Sequence, residues 1–263
     1  MRTKSSRSFS SSIQLLVLAI VLAARSHATE PRSLKDLPIT EVPATKAGND
    51  MFAVLVSGDG GWARLDQELS AELARRGIPV AGLDSLHYFW HARTPDQTAS
   101  DVGRIIEHYS SQWQRQHVLL IGFSFGADVM PAVFNRLTPT SRARVASISL
   151  LGLAKRASYE VSAAEWIPAL APKGPLVLPE IRKIGAVPIL CVDGDGEKKS
   201  ICPGLEQLGI EVRQIGQRHH FSYRETEIAD AVMSVAHVVR APSVDSHPKF
   251  ADSAVRVERQ NSG

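Results

Sequence analysis

A buried strand that runs directly into a Gly-x-Ser-x-Gly turn constrains this chain more than any other feature. Residues 118–121 are apolar and partly β-branched, and Gly122-Phe123-Ser124-Phe125-Gly126 follows at once, before an apolar helical pattern. A Cβ at either glycine would collide with the adjoining strand or helix. The spacing therefore predicts a sharp strand-to-helix turn that exposes the Ser124 hydroxyl at a helix N-terminus, where we expect it to act as a nucleophile.

Strand and helix patterns alternate from about residue 51 onward. Beside the strand before Ser124, strands are predicted at 52–56, 78–83, 144–153, 187–192 and 210–215, with a possible first strand at 37–44. Helices are predicted at 65–76, from the capping box Thr94-Pro95-Asp96-Gln97 to about 115, after Ser124, and at 224–239. This alternation predicts an α/β fold with a mostly parallel sheet and helices on both faces. The proline-rich residues 158–180 interrupt it and are expected to form a short insertion over the strand ends, which makes either a small lid or no lid.

The first 28 residues have the pattern of a cleavable secretory signal peptide. A basic start precedes the apolar residues 13–24, and Ser26-His27-Ala28 offers small residues to a signal peptidase. We expect cleavage after Ala28, with an uncleaved anchor as the alternative. We expect residues 37–240 to form one α/β domain, and the polar residues 241–263 to form a tail without a core-forming pattern.

Removal of the signal changes the charge of the chain. The signal holds four basic residues and no acidic one, so the net charge of +3 becomes +3 minus 4, or −1. No basic cluster remains that would indicate a nucleic-acid partner.

Two cysteines, Cys191 and Cys202, remain in the exported chain. An even pair in an oxidising compartment predicts a disulfide, with two buried thiols as the alternative. The bond would close a short loop and stabilise the fold by about 2–3 kcal/mol. That loop contains the acidic residues discussed next.

An orienting acid for the catalytic base is expected after the strand at 187–192. A nucleophilic serine needs a general base, and the base needs an orienting carboxylate. Hydrolases with this turn supply them in the chain order Ser, acid, His, on loops after successive strands. Within Asp193-Gly194-Asp195-Gly196-Glu197 the spacing from Gly194 favours Glu197, with Asp195 and Asp193 as alternatives. The loop lacks the twelve-residue calcium pattern, so we expect no metal.

The base is expected after the last strand, where Gly216 precedes His219 and His220. Histidine is the side chain best suited to take and return a proton near neutral pH. We expect His219 to be the base and His220 to be its structural or substrate-side neighbour, with the reverse assignment as the alternative.

The oxyanion hole is expected from two backbone N–H groups. One belongs to Phe125, directly after the nucleophile, and the other to Asp59 or Gly60 in the glycine-rich loop Ser57-Gly58-Asp59-Gly60-Gly61-Trp62. A phosphate-binding loop is the alternative for this segment, but the required Gly-Lys-Ser/Thr ending is missing. We expect the chemistry to need no organic cofactor.

Several further side chains are candidates for binding substrate. The carboxylates of Asp59 and Asp128 are expected near Ser124, where they would pair with a cationic group, although Asp128 also suits the start of its helix. Four aromatic residues are candidates for an acyl or lipid pocket, with a place in the core as the alternative: Trp62, Tyr88, Phe89 and Trp90.

The same motifs resemble the VirJ/AcvB family of exported bacterial virulence-associated proteins, a branch of the α/β hydrolases. The resemblance rests on the loop at 57–62, on Asp84-Ser85-Leu86-His87-Tyr88-Phe89-Trp90 with Thr94-Pro95, on the segment 122–131 and on His219-His220-Phe221. It spans roughly residues 37–240 and implies an α/β-hydrolase fold and a periplasmic location. For AcvB-type members it implies hydrolysis of aminoacyl-phosphatidylglycerol, notably the lysyl form. VirJ-type members are associated with DNA-transferring type IV secretion, which implies secretion-system proteins as possible partners.

The sequence features predict an exported serine esterase, and the resemblance implies that it acts in the periplasm on the aminoacyl ester of lysyl-phosphatidylglycerol at the membrane surface. The alternative from another class is a type IV secretion-associated binding protein that retains the hydrolase fold. A thioesterase or peptidase also remains open, because the sequence does not give the shape of the pocket.

Overall fold

The computed structural model describes residues 33–48, 50–161 and 174–238. The predicted signal peptide at 1–28 and the predicted tail at 241–263 lie outside the described residues. Seven strands are described, namely β1 (Ile39–Val42), β2 (Met51–Val56), β3 (Val80–Leu83), β4 (His117–Phe123), β5 (Val145–Leu151), β6 (Ile189–Asp195) and β7 (Glu211–Gln217).

The strands are joined mainly by helices. These are α1 (Arg64–Arg75), α2 (Ser85–Tyr88), α3 (Pro95–Gln112), α4 (Phe125–Arg136), α5 (Pro139–Ala143), α6 (Leu178–Ile181) and α7 (Glu225–Val238). Two short 3₁₀ turns are added at Leu205–Leu208 and Phe221–Tyr223. The predicted capping box begins α3: the Gln97 N–H donates to Thr94 Oγ1 at 3.1 Å, and the Thr94 N–H donates to Gln97 Oε1 at 2.9 Å.

The strands form one sheet in the order β1-β3-β2-β4-β5-β6-β7. Strand β1 pairs antiparallel with β3, and every other neighbouring pair is parallel. The predicted α/β fold with a mostly parallel sheet is therefore confirmed. Because parallel strands end at the same edge of a sheet, the loops after β2, β4, β6 and β7 meet there.

Helices cover both faces of the sheet. Along β2, the side chains of Phe52, Val54 and Val56 join a core with α3 and α4, whereas those of Met51, Ala53 and Leu55 join a core with α1 and α7. This alternation is the period-two geometry of a strand that is buried on both sides. Among the described residues, no helix has the length and apolar composition needed to cross a bilayer.

The predicted insertion at 158–180 falls partly outside the described residues, which stop at 161 and resume at 174. Its described ends lie against the body of the fold. The Val161 N–H donates to the Phe89 carbonyl oxygen at 2.8 Å, and Arg156 forms an isolated antiparallel bridge with Leu176.

Candidate active site

Ser124 lies on a strained turn between β4 and α4. Its φ and ψ are 51° and −114°, a conformation that side chains rarely adopt and that clusters at functional sites. A Cβ on Gly122 would lie 2.4 Å from the Gly126 carbonyl oxygen, and one on Gly126 would lie 2.1 Å from the Val56 carbonyl oxygen. Gly122 is therefore needed for β4 to lie close to α4, and Gly126 for the turn to pack against β2, in agreement with the predicted collisions.

The side chains of Ser124, His219 and Glu197 are joined by two consecutive contacts, which we call the catalytic line. His219 Nε2 is 2.7 Å from Ser124 Oγ, and His219 Nδ1 is 3.3 Å from Glu197 Oε2. The structure therefore brings together the preferred nucleophile, base and acid of the sequence analysis. Gly152, at the end of β5, gives the imidazole its space, since a Cβ there would lie 2.8 Å from His219 Cε1.

A turn after β6 and a contact between the ends of β6 and β7 position the acid beside the base. The Glu197 N–H donates to the Gly194 carbonyl oxygen at 3.0 Å, which turns the chain so that the carboxylate faces His219. The Arg218 N–H donates to the Asp195 carbonyl oxygen at 2.9 Å, and a Cβ on Gly194 would lie 2.0 Å from the Arg218 carbonyl oxygen. The acid loop and the base loop therefore share backbone contacts.

A disulfide closes the loop that carries the acid. Cys191 in β6 is bonded to Cys202, with their Cα atoms 5.5 Å apart, and Glu197 lies between them in the chain. The predicted disulfide is thus present in the structure, and it restrains both ends of the acid loop.

The alternatives for acid and base lie elsewhere. Asp193 is buried in β6, where burial raises the pKa of its carboxyl group, and Asp195 is exposed. His220 is also exposed, with its ring centroid 5.7 Å from that of His219. Only Glu197 has a carboxylate oxygen in contact with the His219 ring among the described ion pairs.

Burial lowers the pKa of His219 below its ordinary value, while the Glu197 carboxylate acts in the opposite direction. The imidazole is consequently neutral at pH 7 and free to accept the Ser124 proton. Glu197 would then stabilise the imidazolium as it forms.

The loop that carries His219 is strained and anchored. Four of its non-glycine residues have positive φ: Arg218, Phe221, Ser222 and Tyr223. Phe221 is fully buried and holds the loop against the sheet. Backbone strain of this kind persists only where the surrounding structure fixes the conformation.

The glycine-rich loop after β2 lies against the nucleophile. A Cβ on Gly58 would be 3.5 Å from Ser124 Cβ, and the Gly126 N–H donates to the Ser57 carbonyl oxygen at 3.1 Å. In the described part of the chain, the N–H groups of Phe125, Asp59 and Gly60 donate no hydrogen bond. These donors are the ones predicted for an oxyanion hole.

Two connected clefts meet at Ser124. The main cleft, of about 1130 Å³, contains His219, Glu197 and the loop 58–61. The side cleft, of about 450 Å³, continues past Phe125. Residues that line both are Asp59, Ser124, Asp128, Ala154 and Lys199. No group of three or more metal-ligating side chains occurs among residues 33–48, 50–161 and 174–238.

A family model described as "Bacterial virulence protein (VirJ)" matches residues 50–239, which include every residue of the Ser-His-Glu line. The chain belongs to this VirJ family. No protein with a curated function matches it.

Solved structures similar to this VirJ family member include several esterases. Est1E from Butyrivibrio proteoclasticus, solved with ferulic acid, is 13% identical with a TM-score of 0.52, covering 78% of this chain and 95% of its own. A lipase-esterase related protein from Clostridium acetobutylicum ATCC 824 is 14% identical with a TM-score of 0.55, covering 76% and 99%. The esterase domain of a Rhodothermus marinus protein is 13% identical with a TM-score of 0.52, covering 78% and 92%. These likenesses establish the predicted α/β-hydrolase fold.

The two predicted substrate carboxylates of this VirJ family member differ in their surroundings. Asp128 Oδ1 accepts the Ala154 N–H at 2.7 Å, so this side chain helps to hold the segment after β5. Asp59 is half-buried, and its carboxylate has neither an ion pair nor a hydrogen bond among the described residues. Asp59 is the better placed of the two to bind a cation.

The structure corrects the predicted aromatic lining. Tyr88 is in the core, 1% exposed, and its hydroxyl donates to Asp101 Oδ2 at 2.7 Å. Trp62 packs against β3, since a Cβ on Gly82 would lie 2.1 Å from its ring. Phe89 is likewise buried against Phe125, and Trp90, although exposed, does not line either cleft.

Sequence reasoning missed several residues that do line the clefts of this VirJ family member. Tyr223 lies at the mouth of the main cleft with the Arg64 guanidinium 3.8 Å above its ring. Lys155, Arg156 and Lys199 line the side cleft. All three follow the carboxyl ends of strands, which is the signal that would have indicated them.

Proposed function

We propose that this chain is a serine esterase in which Ser124 is the nucleophile, His219 the general base and Glu197 the orienting acid. The observation that carries the proposal is the continuous line of contacts from Glu197 through His219 to Ser124 at the junction of two clefts. The α/β-hydrolase fold and the VirJ family match support it.

In the first half of the reaction, Ser124 Oγ forms a bond to the ester carbonyl carbon while its proton passes to His219 Nε2. The negative charge moves to the carbonyl oxygen, where the N–H groups of Phe125 and of Asp59 or Gly60 stabilise it. The loss of one such donor typically costs about 3 kcal/mol of transition-state stabilisation. The bond from carbon to the alcohol oxygen then breaks, and His219 returns the proton to the departing alcohol.

In the second half, water replaces the alcohol. His219 takes a proton from the water, the hydroxide attacks the acyl carbon, and the bond to Ser124 Oγ breaks with return of the proton to the serine. The products are the free acid and an unmodified enzyme. The His219 imidazole therefore accepts and returns one proton in each half of the reaction.

For the substrate we propose the aminoacyl ester of lysyl-phosphatidylglycerol. The α-ammonium group of an aminoacyl ester lies next to the carbonyl that Ser124 would attack. The unpaired Asp59 carboxylate lies beside that point, on both clefts. Its charge supports a substrate with a cation close to the scissile bond. The resemblance to AcvB-type members supports the same substrate.

The proposed place of action is the periplasm, at the surface of a membrane that contains this lipid. The signal-peptide pattern of residues 1–28 supports export of the chain. Secretion-system proteins are proposed as partners only on the family resemblance.

The proposal is tested with purified mature protein and vesicles that contain lysyl-phosphatidylglycerol. Free lysine and phosphatidylglycerol are measured for the wild type, Ser124→Ala and Ser222→Ala. Ser222 is a matched control, since it also lines the main cleft but its hydroxyl donates to the Gln217 carbonyl oxygen. We expect the wild type and Ser222→Ala to release lysine, and Ser124→Ala to lose at least about 10³-fold of the rate.

Other outcomes separate the parts of the proposal. If no variant releases lysine but a fluorophosphonate labels Ser124 in the wild type, the esterase survives and the substrate is wrong. If the probe also fails to label Ser124, the nucleophile is wrong, and the binding-protein alternative takes its place. Asp59→Asn is expected to raise KM for the lysyl ester more than for an uncharged acyl ester.

A further inference from the structure

Three cationic side chains line the side cleft, namely Lys155, Arg156 and Lys199. Some arginines on the surface are paired with carboxylates, as in the pairs of Arg76 with Asp230 and of Arg104 with Asp36. Lys155 and Lys199 have no ion pair within the described part of the chain. Unpaired positive charges are therefore gathered beside Ser124.

The backbone around Lys155 and Arg156 is held in place by hydrogen bonds. The Val177 N–H donates to the Lys155 carbonyl oxygen at 3.1 Å, and the Ala157 N–H donates to the Pro175 carbonyl oxygen at 3.0 Å. Arg156 Nη1 donates to the Gly174 carbonyl oxygen at 2.7 Å, which leaves its other N–H groups for a ligand.

The backbone of Lys199 is held by the proposed catalytic acid itself. The Lys199 N–H donates to Glu197 Oε1 at 3.1 Å, while the other carboxylate oxygen of Glu197 faces His219. The position of Lys199 is thus coupled to the catalytic line. Lys155, Arg156 and Lys199 thus line one cleft together with Ser124.

We propose that the side cleft is a subsite for a phosphate or phosphodiester group carried by the substrate. Donors from Lys155, Arg156 and Lys199 would surround the several oxygens of a tetrahedral anion, for which lysine is a common ligand as a point charge. This inference rests on the proposed esterase function and deepens it. The substrate would carry a cation near the ester, at Asp59, and an anion one glycerol unit away.

The clefts supply partners for both charges of such a substrate. Asp59, Asp128 and Lys199 line both clefts together with Ser124, whereas Lys155 and Arg156 line the side cleft only. A neutral or purely cationic alcohol would leave the cations without a partner. The arrangement therefore selects for an anionic leaving group.

The test uses two soluble esters, lysyl-glycerol and lysyl-glycerol phosphate, so that binding to a charged membrane surface plays no part. The ratio of their kcat/KM values is measured at constant ionic strength for the wild type, Lys155→Ala, Lys199→Ala and the double variant. Lys198→Ala is the matched control, because Lys198 lines the main cleft but not the side cleft.

We expect the wild type to prefer the phosphate ester, and each side-cleft substitution to reduce the ratio by about five- to tenfold. The double variant should bring the ratio close to one, whereas Lys198→Ala should keep the wild-type ratio. Glycerol phosphate should inhibit the wild type more strongly than the double variant, which would show that the anion alone occupies the subsite.

Three results would overturn the inference. Equal hydrolysis of both esters by the wild type would exclude a phosphate subsite but leave the esterase intact. An equal loss of the ratio in Lys198→Ala would show a general charge effect. Hydrolysis of neither ester would overturn the proposed function, and the subsite with it.

Discussion

Substitution of Gly152 by alanine tests the position of the proposed base without replacing any catalytic side chain. The added Cβ would lie 2.8 Å from His219 Cε1 and 3.0 Å from Nδ1. Carbon atoms pack best at about 3.5 Å or more, so the ring must move by about 0.7 Å. A displacement of this size is enough to break the 2.7 Å contact between His219 Nε2 and Ser124 Oγ.

The expected loss follows from that displacement. Since a misplacement of about 1 Å can cost about 10²-fold in rate, we expect kcat/KM of Gly152→Ala to fall by about 10²-fold. Gly152 also has a φ of +70°, so alanine there adds about 1–2 kcal/mol of backbone strain. The fall in activity must therefore be separated from the fall in stability.

Gly209→Ala provides that separation. Gly209 has a φ of +75°, but a Cβ there would meet nothing within 4 Å, and it lies outside both clefts. Both variants should lose a similar free energy of unfolding in urea, and only Gly152→Ala should lose ester hydrolysis. If folded Gly152→Ala keeps activity within about threefold of Gly209→Ala, His219 is not the base in this position.

Three further predictions concern charge, the disulfide and pH. Glu197→Gln removes a charge that raises the pKa of His219, so the acid limb of the profile of kcat/KM against pH should move to lower pH. We also expect kcat to fall by about 10²–10³-fold, and an unchanged acid limb would contradict the assignment. Replacing Cys191 and Cys202 by alanine should lower the free energy of unfolding in urea by about 2–3 kcal/mol, and a loss below about 0.5 kcal/mol would count against the loop argument. Burial raises the pKa of Asp66 to about 7, so the folded state retains a proton that the unfolded state releases above about pH 4, and wild-type stability should decrease as pH rises from about 4 to 8. Asp66→Asn should remove that part of the decrease and be more stable than wild type at pH 8 by about 2 kcal/mol; parallel stability curves would refute it.

The catalytic line was predictable because each of its residues follows a strand that the pattern of apolar residues identifies. Glu197 was favoured over its neighbours by its spacing from Gly194, and the structure has the turn that this spacing needs. Chain order and strand order together bring the carboxyl ends of β4, β6 and β7 to one edge. Local sequence patterns were therefore sufficient to predict which acid and base lie beside Ser124.

The lining of the clefts was much less predictable. Tyr88 can be buried because its hydroxyl donates to Asp101 on α3. This tertiary contact produces no recognisable pattern in the sequence around Tyr88. The role of Arg156 likewise depends on a hydrogen bond to Gly174, far along the chain. Short elements such as α2 and the 3₁₀ turn at Phe221–Tyr223 contain too few residues to show a helical period.

The placement of His219 after an edge strand links activity to local unfolding. Strand β7 pairs only with β6, whereas Ser124 follows β4 in the middle of the sheet. Opening of this edge alone, in the manner of a separate cooperative unit, would remove the base while the rest of the fold stayed intact. The turnover rate would then depend on the local stability of the β7 edge of the sheet. On heating, the protein would lose activity at a temperature below that of global unfolding.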